Sequence, residues 1–124
     1  VIFGIGTDII EVARIEEVAA KGTQYLETIF TEKERNYCEK KARKSEHYAG
    51  RYAAKEAFLK ALGSGWRDGL AFGDIEIIND DLGKPQIFLH GEVKKLFDHY
   101  QIKHISTSIS HVKAMAIAVV VLEK

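Results

Sequence analysis

Three short segments carry residue types that could do chemistry. In the first, Gly6-Thr7-Asp8 follows the apolar residues 1–5. A carboxylate at the end of a buried strand is held rigidly and can point into a cleft, which suits a metal ligand; Asp8 could equally cap the segment that follows. In the second, residues 51–60 read RYAAKEAFLK. Glu56 and Lys60 are four apart, so they share one helix face with the glutamate on the N-terminal side. Most such pairs are surface ion pairs worth little. Here, however, Ala53, Ala54, Ala57 and Ala61 leave one side of the helix slim enough for a bulky group to approach. The third segment, Ser106-Thr107-Ser108-Ile109-Ser110-His111, alternates like a strand and ends in a histidine. Neighbouring strand residues point to opposite faces, so Ser110 and His111 do not make a hydrolase pair, and no nucleophile-elbow pattern surrounds them. His111 is left as a phosphate or partner contact, or as a solvated residue. Gly4-Ile5-Gly6 lacks the third glycine and the lysine-serine ending of a nucleotide-binding loop.

The elements that must position these residues are legible in part. Residues 1–5 read as a buried strand running into a glycine turn. Residues 14–21 repeat Ile15, Val18 and Ala19 at helical spacing, and Gly22 stands where that helix would end. Thr31-Glu32-Lys33-Glu34 is a capping box, which predicts a helix to about residue 43. A long alanine-rich helix over about 46–62 carries Tyr48, Tyr52, Phe58, Leu59 and Leu62 on its apolar face, and Gly63 closes it. Three glycines within residues 63–69 predict a loop. Residues 74–78 and 86–89 read as strands around a turn, and 91–100 as a short helix with Val93, Leu96 and Phe97 inward. Residues 104–110 and 114–122 read as a hairpin. Helices in the first half and antiparallel strands in the second predict an α+β fold, with helices packed on an antiparallel sheet.

Composition narrows the classes. With 124 residues the chain has the size of one domain, expected over 1–124, and it can fold without disulfides or a structural metal. Its single cysteine, Cys38, excludes an internal disulfide, fits a reducing compartment, and sits in a charged run that offers no nucleophilic context. Lysine plus arginine equals aspartate plus glutamate at 18 each, so overall charge does not point to nucleic acid. Basic residues do gather between Lys33 and Arg51, either as a solvated helix face or as a patch for an acidic or polyphosphate partner. No targeting segment is visible. The longest apolar run, residues 114–122, is about half of what spans a bilayer. A cytosolic protein with no membrane span is expected.

Taken in order, residues 6–14 (GTDIIEVAR), 30–34 (FTEKE), 51–57 (RYAAKEA), Gly83-Lys84-Pro85 and Ser108-Ile109-Ser110-His111 resemble the holo-acyl-carrier-protein synthases. These are the small bacterial class of phosphopantetheinyl transferases, and the resemblance spans nearly the whole chain. Val112 departs from the family pattern, which often has a small polar residue there. The resemblance implies the phosphopantetheinyl transferase fold, assembled as a homotrimer with active sites between subunits. It implies magnesium bound by Asp8 and Glu56; given that site, Glu56, directly or through a metal-bound water, is the candidate general base. It places Lys60 near the coenzyme A phosphates, and Arg51, His111 and the Gly83-Lys84-Pro85 turn against coenzyme A. It assigns Arg14 to docking of an acidic apo-acyl carrier protein. The implied reaction moves phosphopantetheine from coenzyme A to a carrier serine, which accounts for the lack of an internal nucleophile. Two other readings use the same residues. One is a non-catalytic oligomeric module that binds coenzyme A or a nucleotide. The other is a metal-dependent phosphohydrolase.

Overall fold

The structure is a computed structural model and describes residues 1–67 and 69–124. The chain runs β1 (Ile2–Glu11), α1 (Val12–Lys21), α2 (Thr23–Ile29), α3 (Glu32–Glu39) and α4 (Lys44–Leu62). A 3-10 turn at Phe72–Asp74 leads into β2 (Ile75–Asn79), β3 (Pro85–Leu89), α5 (Gly91–His99), β4 (His104–His111) and β5 (Met115–Glu123). All strand pairs are antiparallel. The α+β class is as expected, but the strands form two sheets, ordered β1-β5-β4 and β2-β3, rather than one.

The axis of the molecule is α4. It is covered on most sides: Ala49, Ala53, Ala54, Ala57, Phe58, Leu59, Ala61 and Leu62 are buried, and so are the charged Glu46, Arg51 and Lys55, while Lys60 near its end is exposed. β1 and β5 lie along one flank, while α1, α3 and β2 pack on the others. Gly63 closes the helix in the left-handed conformation (φ 81°), its N–H donating to Leu59 O.

The alanines that slim this helix are used by the protein itself. A side-chain carbon at Gly4 would lie 1.9 Å from Ala61 O, and one at Gly6 would lie 1.9 Å from Ala57 O. Only glycine lets the β1 backbone lie directly on α4, so the slim face receives a strand and not a ligand. For the same reason Gly6 makes no turn. β1 continues through it to Glu11, and Asp8 stands within the strand rather than at its end. Nor is the strand buried throughout. Gly6 and Ile10 face α4, whereas Ile5 and Ile9 are exposed on the opposite face.

Two helix boundaries also differ from the sequence reading. α2 follows Gly22 at once; it has seven residues and one buried side chain, Leu26, too little apolar periodicity to stand out. α3 stops at Glu39, because Cys38 is its last buried residue and only exposed residues, all but Ala42 charged, follow before α4. The capping box itself is complete: Glu34 N–H donates to Thr31 Oγ1 at 3.3 Å, and Thr31 N–H donates to Glu34 Oε1 at 2.9 Å. Glu34 does more than cap. It is fully buried and accepts from Lys55 Nζ at 2.8 Å and from Ile77 N–H at 2.9 Å, while Lys55 Nζ also donates to Phe72 O at 2.9 Å. One ion pair thus ties α3, α4, β2 and the 3-10 turn together. Burial pulls the Lys55 pKa down against the opposing field of Glu34.

Candidate functional site

Strand period places Asp8 two residues beyond Gly6, on the face that lies against α4. There Lys60 Nζ donates to Asp8 Oδ1 at 3.1 Å and to Thr7 O at 3.0 Å. Lys60 therefore bridges to β1 and makes no ion pair with Glu56 among the described residues, contrary to what the four-residue spacing suggested. Glu56 Oε1 instead accepts the indole N–H of Trp66 at 3.2 Å. Trp66 packs on Phe72 with ring centroids 4.1 Å apart, and Phe72 stacks on Tyr52 at 5.6 Å. The Tyr52 phenol is pushed up to about 12, chiefly by burial and then by the Glu56 charge; Asp8 raises it further and Arg14 opposes. Tyr52, Glu56 and Lys60 follow one another at four-residue spacing on one face of α4, and Lys60 joins the Asp8 carboxylate to that face. Arg14 itself is exposed on α1.

A second group forms elsewhere on α4. Arg51, Gly83, Pro85 and His111 line a cavity of ≈ 210 Å³ together with Tyr37, His47, Gly50, Asn79 and Ile109. The Arg51 side chain is held by Asn79 Oδ1 and lies over the Tyr37 ring, 4.1 Å from its centroid. Its Nε–H is buried and has no acceptor among the described residues. His111 Nδ1 contacts Glu46 Oε1 at 2.9 Å. The β2–β3 turn is shaped by Asn79 Nδ2 donating to Gly83 O at 2.8 Å and by Asp80 Oδ1 accepting the Lys84 N–H at 2.9 Å. Lys84 is exposed and does not line this cavity.

Arg51 and Glu56 are five positions apart on α4, which turns them about 140° from each other. The residues singled out in the sequence therefore fall into two groups on different sides of the helix: Asp8, Glu56, Lys60 and Arg14 in one, Arg51, Gly83, Pro85 and His111 in the other. His47, Tyr37 and Asn79 in the second group, and Trp66 and Tyr52 in the first, escaped notice. For His47 a signal existed, since it lies four residues before Arg51 on one helix face. For Trp66 none did, because the loop that carries it reaches Glu56 of α4 only through the tertiary fold. Asp68 in that loop lies outside the described residues.

The two carboxylates fit magnesium by donor chemistry. That ion takes hard oxygens and is commonly held by one or two carboxylates plus substrate phosphates. Asp8 and Glu56 supply that number from separate elements, with a lysine already drawn to Asp8. Among the described residues no cluster of three or more histidine, cysteine or acidic side chains forms a closed metal cage.

Residues 4–120 match the family model described as the 4′-phosphopantetheinyl transferase superfamily. A holo-[acyl-carrier-protein] synthase of Geobacter sulfurreducens is 48% identical over 124 residues, covering 99% of this chain and 98% of the relative. The crystal structure of the holo-[acyl-carrier-protein] synthase of Neisseria meningitidis superposes with TM-score 0.91 at 37% identity, covering 100% of both chains. That of Bacillus anthracis, in complex with CoA (3′,5′-ADP), superposes with TM-score 0.81 at 44% identity, covering 99% of this chain and 97% of that one.

Proposed function

The chain belongs to the 4′-phosphopantetheinyl transferase superfamily, among the holo-[acyl-carrier-protein] synthases, and from that membership we propose that it moves 4′-phosphopantetheine from coenzyme A to a serine of apo-acyl carrier protein. The observation that carries the reading is the pairing of Asp8 and Glu56 on one side of α4 with an anion-seeking cavity on the other. The serine oxygen bonds to the β-phosphorus of coenzyme A as the bond from that phosphorus to the bridging oxygen breaks, releasing adenosine 3′,5′-bisphosphate. Such chemistry asks the protein mainly for positioning and charge neutralisation. Asp8 and Glu56 are the residues that would hold magnesium, which supplies Lewis acidity and a template for the pyrophosphate. Glu56 takes the serine proton as general base, and Lys60 neutralises charge on the departing phosphate. Arg51, Gly83, Pro85 and His111 bind the nucleotide end, with Lys84 at the mouth of the turn. The unpartnered Nε–H of Arg51 supports an oxygen-rich ligand there.

A trimer with sites between subunits accounts for the split arrangement, because one chain's carboxylates would meet a neighbour's nucleotide cavity. The outer face of the β1-β5-β4 sheet supports it. Ile5, Ile9 and Ile117 are exposed there, and β4 offers only Ser106, Ser108 and Ser110 opposite Val121, Val119 and Ile117. Arg14, exposed on α1, docks the acidic carrier, and a cytosolic setting follows from that partner. No helix among the described residues is long and apolar enough to cross a membrane.

The test is to incubate the protein with coenzyme A, magnesium and apo-acyl carrier protein and to weigh the carrier. A magnesium-dependent gain of one phosphopantetheine, absent when the carrier serine is replaced, is expected. An unchanged carrier overturns the transferase. Binding without turnover would favour a coenzyme-binding module, and release of phosphopantetheine without carrier a phosphohydrolase.

A further inference from the structure

His47 is a side chain of the nucleotide cavity to which neither the sequence motifs nor the proposed reaction gives a task. Its ring meets the His111 ring edge-on, with centroids 4.9 Å apart, and meets Tyr37 at 5.9 Å on its other side. Both imidazoles line the same cavity as Arg51. Charged and titratable groups reach His47 from each element packed around it. These are Tyr37 of α3 and Lys41 beyond its end, Glu46 and Arg51 of α4, and His111 of β4. Glu46 is already occupied, by His111 Nδ1 at 2.9 Å and by Arg43 Nε at 3.8 Å. His47 thus has basic groups nearby and, among the described residues, no carboxylate of its own, which disfavours its charged form while the cavity is empty. Burial, followed by the fields of His111, Lys41 and Arg51, holds its pKa below the ordinary histidine range.

A phosphate-bearing ligand reverses that balance. The cavity, at ≈ 210 Å³, is smaller than the ~300–1,000 Å³ of sites that enclose drug-sized ligands, so it takes one end of coenzyme A rather than all of it. We propose that His47, paired with His111, is a further binding residue for the phosphate-bearing nucleotide end of the coenzyme, and that it takes up a proton from solvent as the ligand enters. This rests on reading the cavity as the coenzyme A cleft. Phosphate oxygens brought beside two imidazoles and a guanidinium favour the imidazolium, and a charge–charge partner at that range commonly moves a histidine by about 1–3 pKa units. The sign follows by linkage. The pKa is higher in the complex than in the free protein, so the added affinity is complete below the free value and fades as pH rises through the bound one. One unit corresponds to a tenfold change in affinity.

Calorimetric titration of coenzyme A with magnesium and no carrier, at pH 6.5 in two buffers of different protonation enthalpy, counts the protons. The ligand's own phosphate contributes equally to every variant, so the comparison with His47→Gln isolates the imidazole. Wild type should take up roughly 0.5–1 proton more than His47→Gln, and its affinity should fall about tenfold more between pH 5.5 and 8. His47→Phe, which keeps the aromatic packing on Tyr37, should behave like His47→Gln, and matching urea midpoints exclude a folding effect. Equal proton counts in wild type and both variants, with coenzyme A still bound, overturn this inference alone. Failure of wild type to bind coenzyme A at any of these pH values overturns the cleft reading and this inference with it.

Discussion

Replacing Lys55 by methionine tests whether the buried pair with Glu34 organises the centre of the molecule. Methionine matches the lysine stem in volume, so little packing is lost. What changes is the compensation of the Glu34 charge: the carboxylate is fully buried and keeps the N–H groups of Thr31 and Ile77 but loses the one cation paired with it among the described residues, at 2.8 Å. Phe72 O loses the same donor. Removing one partner of a buried pair costs about 3–5 kcal/mol, because the remaining charge is left uncompensated. For a domain of this size that lowers Tm on the order of 10–20 °C. Glu34→Gln keeps the shape, removes the anion and strands the lysine; Lys55, already pulled down by burial, would then shed its proton. Its cost should therefore be smaller than that of Lys55→Met and should shrink as pH rises. The double variant should cost less than the sum of the two singles by at least ~1 kcal/mol. Urea unfolding of the four proteins at pH 6 and 9 reads all of this. Additive costs, or a Lys55→Met cost below ~1 kcal/mol, would refute the reasoning and make the pair an incidental contact.

Asp8→Asn and Glu56→Gln should each abolish magnesium-dependent modification of the carrier while leaving the urea midpoint within about 1 kcal/mol of wild type; near-normal turnover in either would remove it from the metal site. Arg14→Ala should raise the KM for carrier protein and leave coenzyme A affinity unchanged, measured by steady-state kinetics and direct binding. Gly6→Ala should destabilise by at least ~1–3 kcal/mol, because the methyl carbon would sit 1.9 Å from Ala57 O; calorimetric unfolding checks it. Cys38 is wholly buried and its thiol is pushed up to about 12 by burial. It should therefore resist a thiol reagent at pH 8 in the native protein and react at once in urea; rapid native labelling would contradict that environment.

The sequence determined the local elements whose signals are carried by neighbours along the chain. Thr31 and Glu34 announce the start of α3, Gly63 the end of α4, and the alternation of β4, the β-branched run of β5 and the short polar break between them their pairing, because caps, left-handed glycines and strand signals act within a few residues. The conjunction of Asp8, a Lys-Glu-Ala helix and a late histidine also sufficed to point at the family. Contacts that close over long separations were decided by tertiary structure. The alanines 53, 54, 57 and 61 look like an open groove until β1, with Gly4 and Gly6, is laid into it. Glu56 and Lys60 look like a pair until the strand brings Asp8 to Lys60 and the loop brings Trp66 to Glu56. Glu34 reads as a cap, but only the fold reveals it as the buried partner of a lysine 21 residues away. Arg51 and Glu56 sit close in sequence, yet helix geometry sends them to opposite sides. A sequence records spacing along the chain; which side chains share a site depends on what the chain folds against.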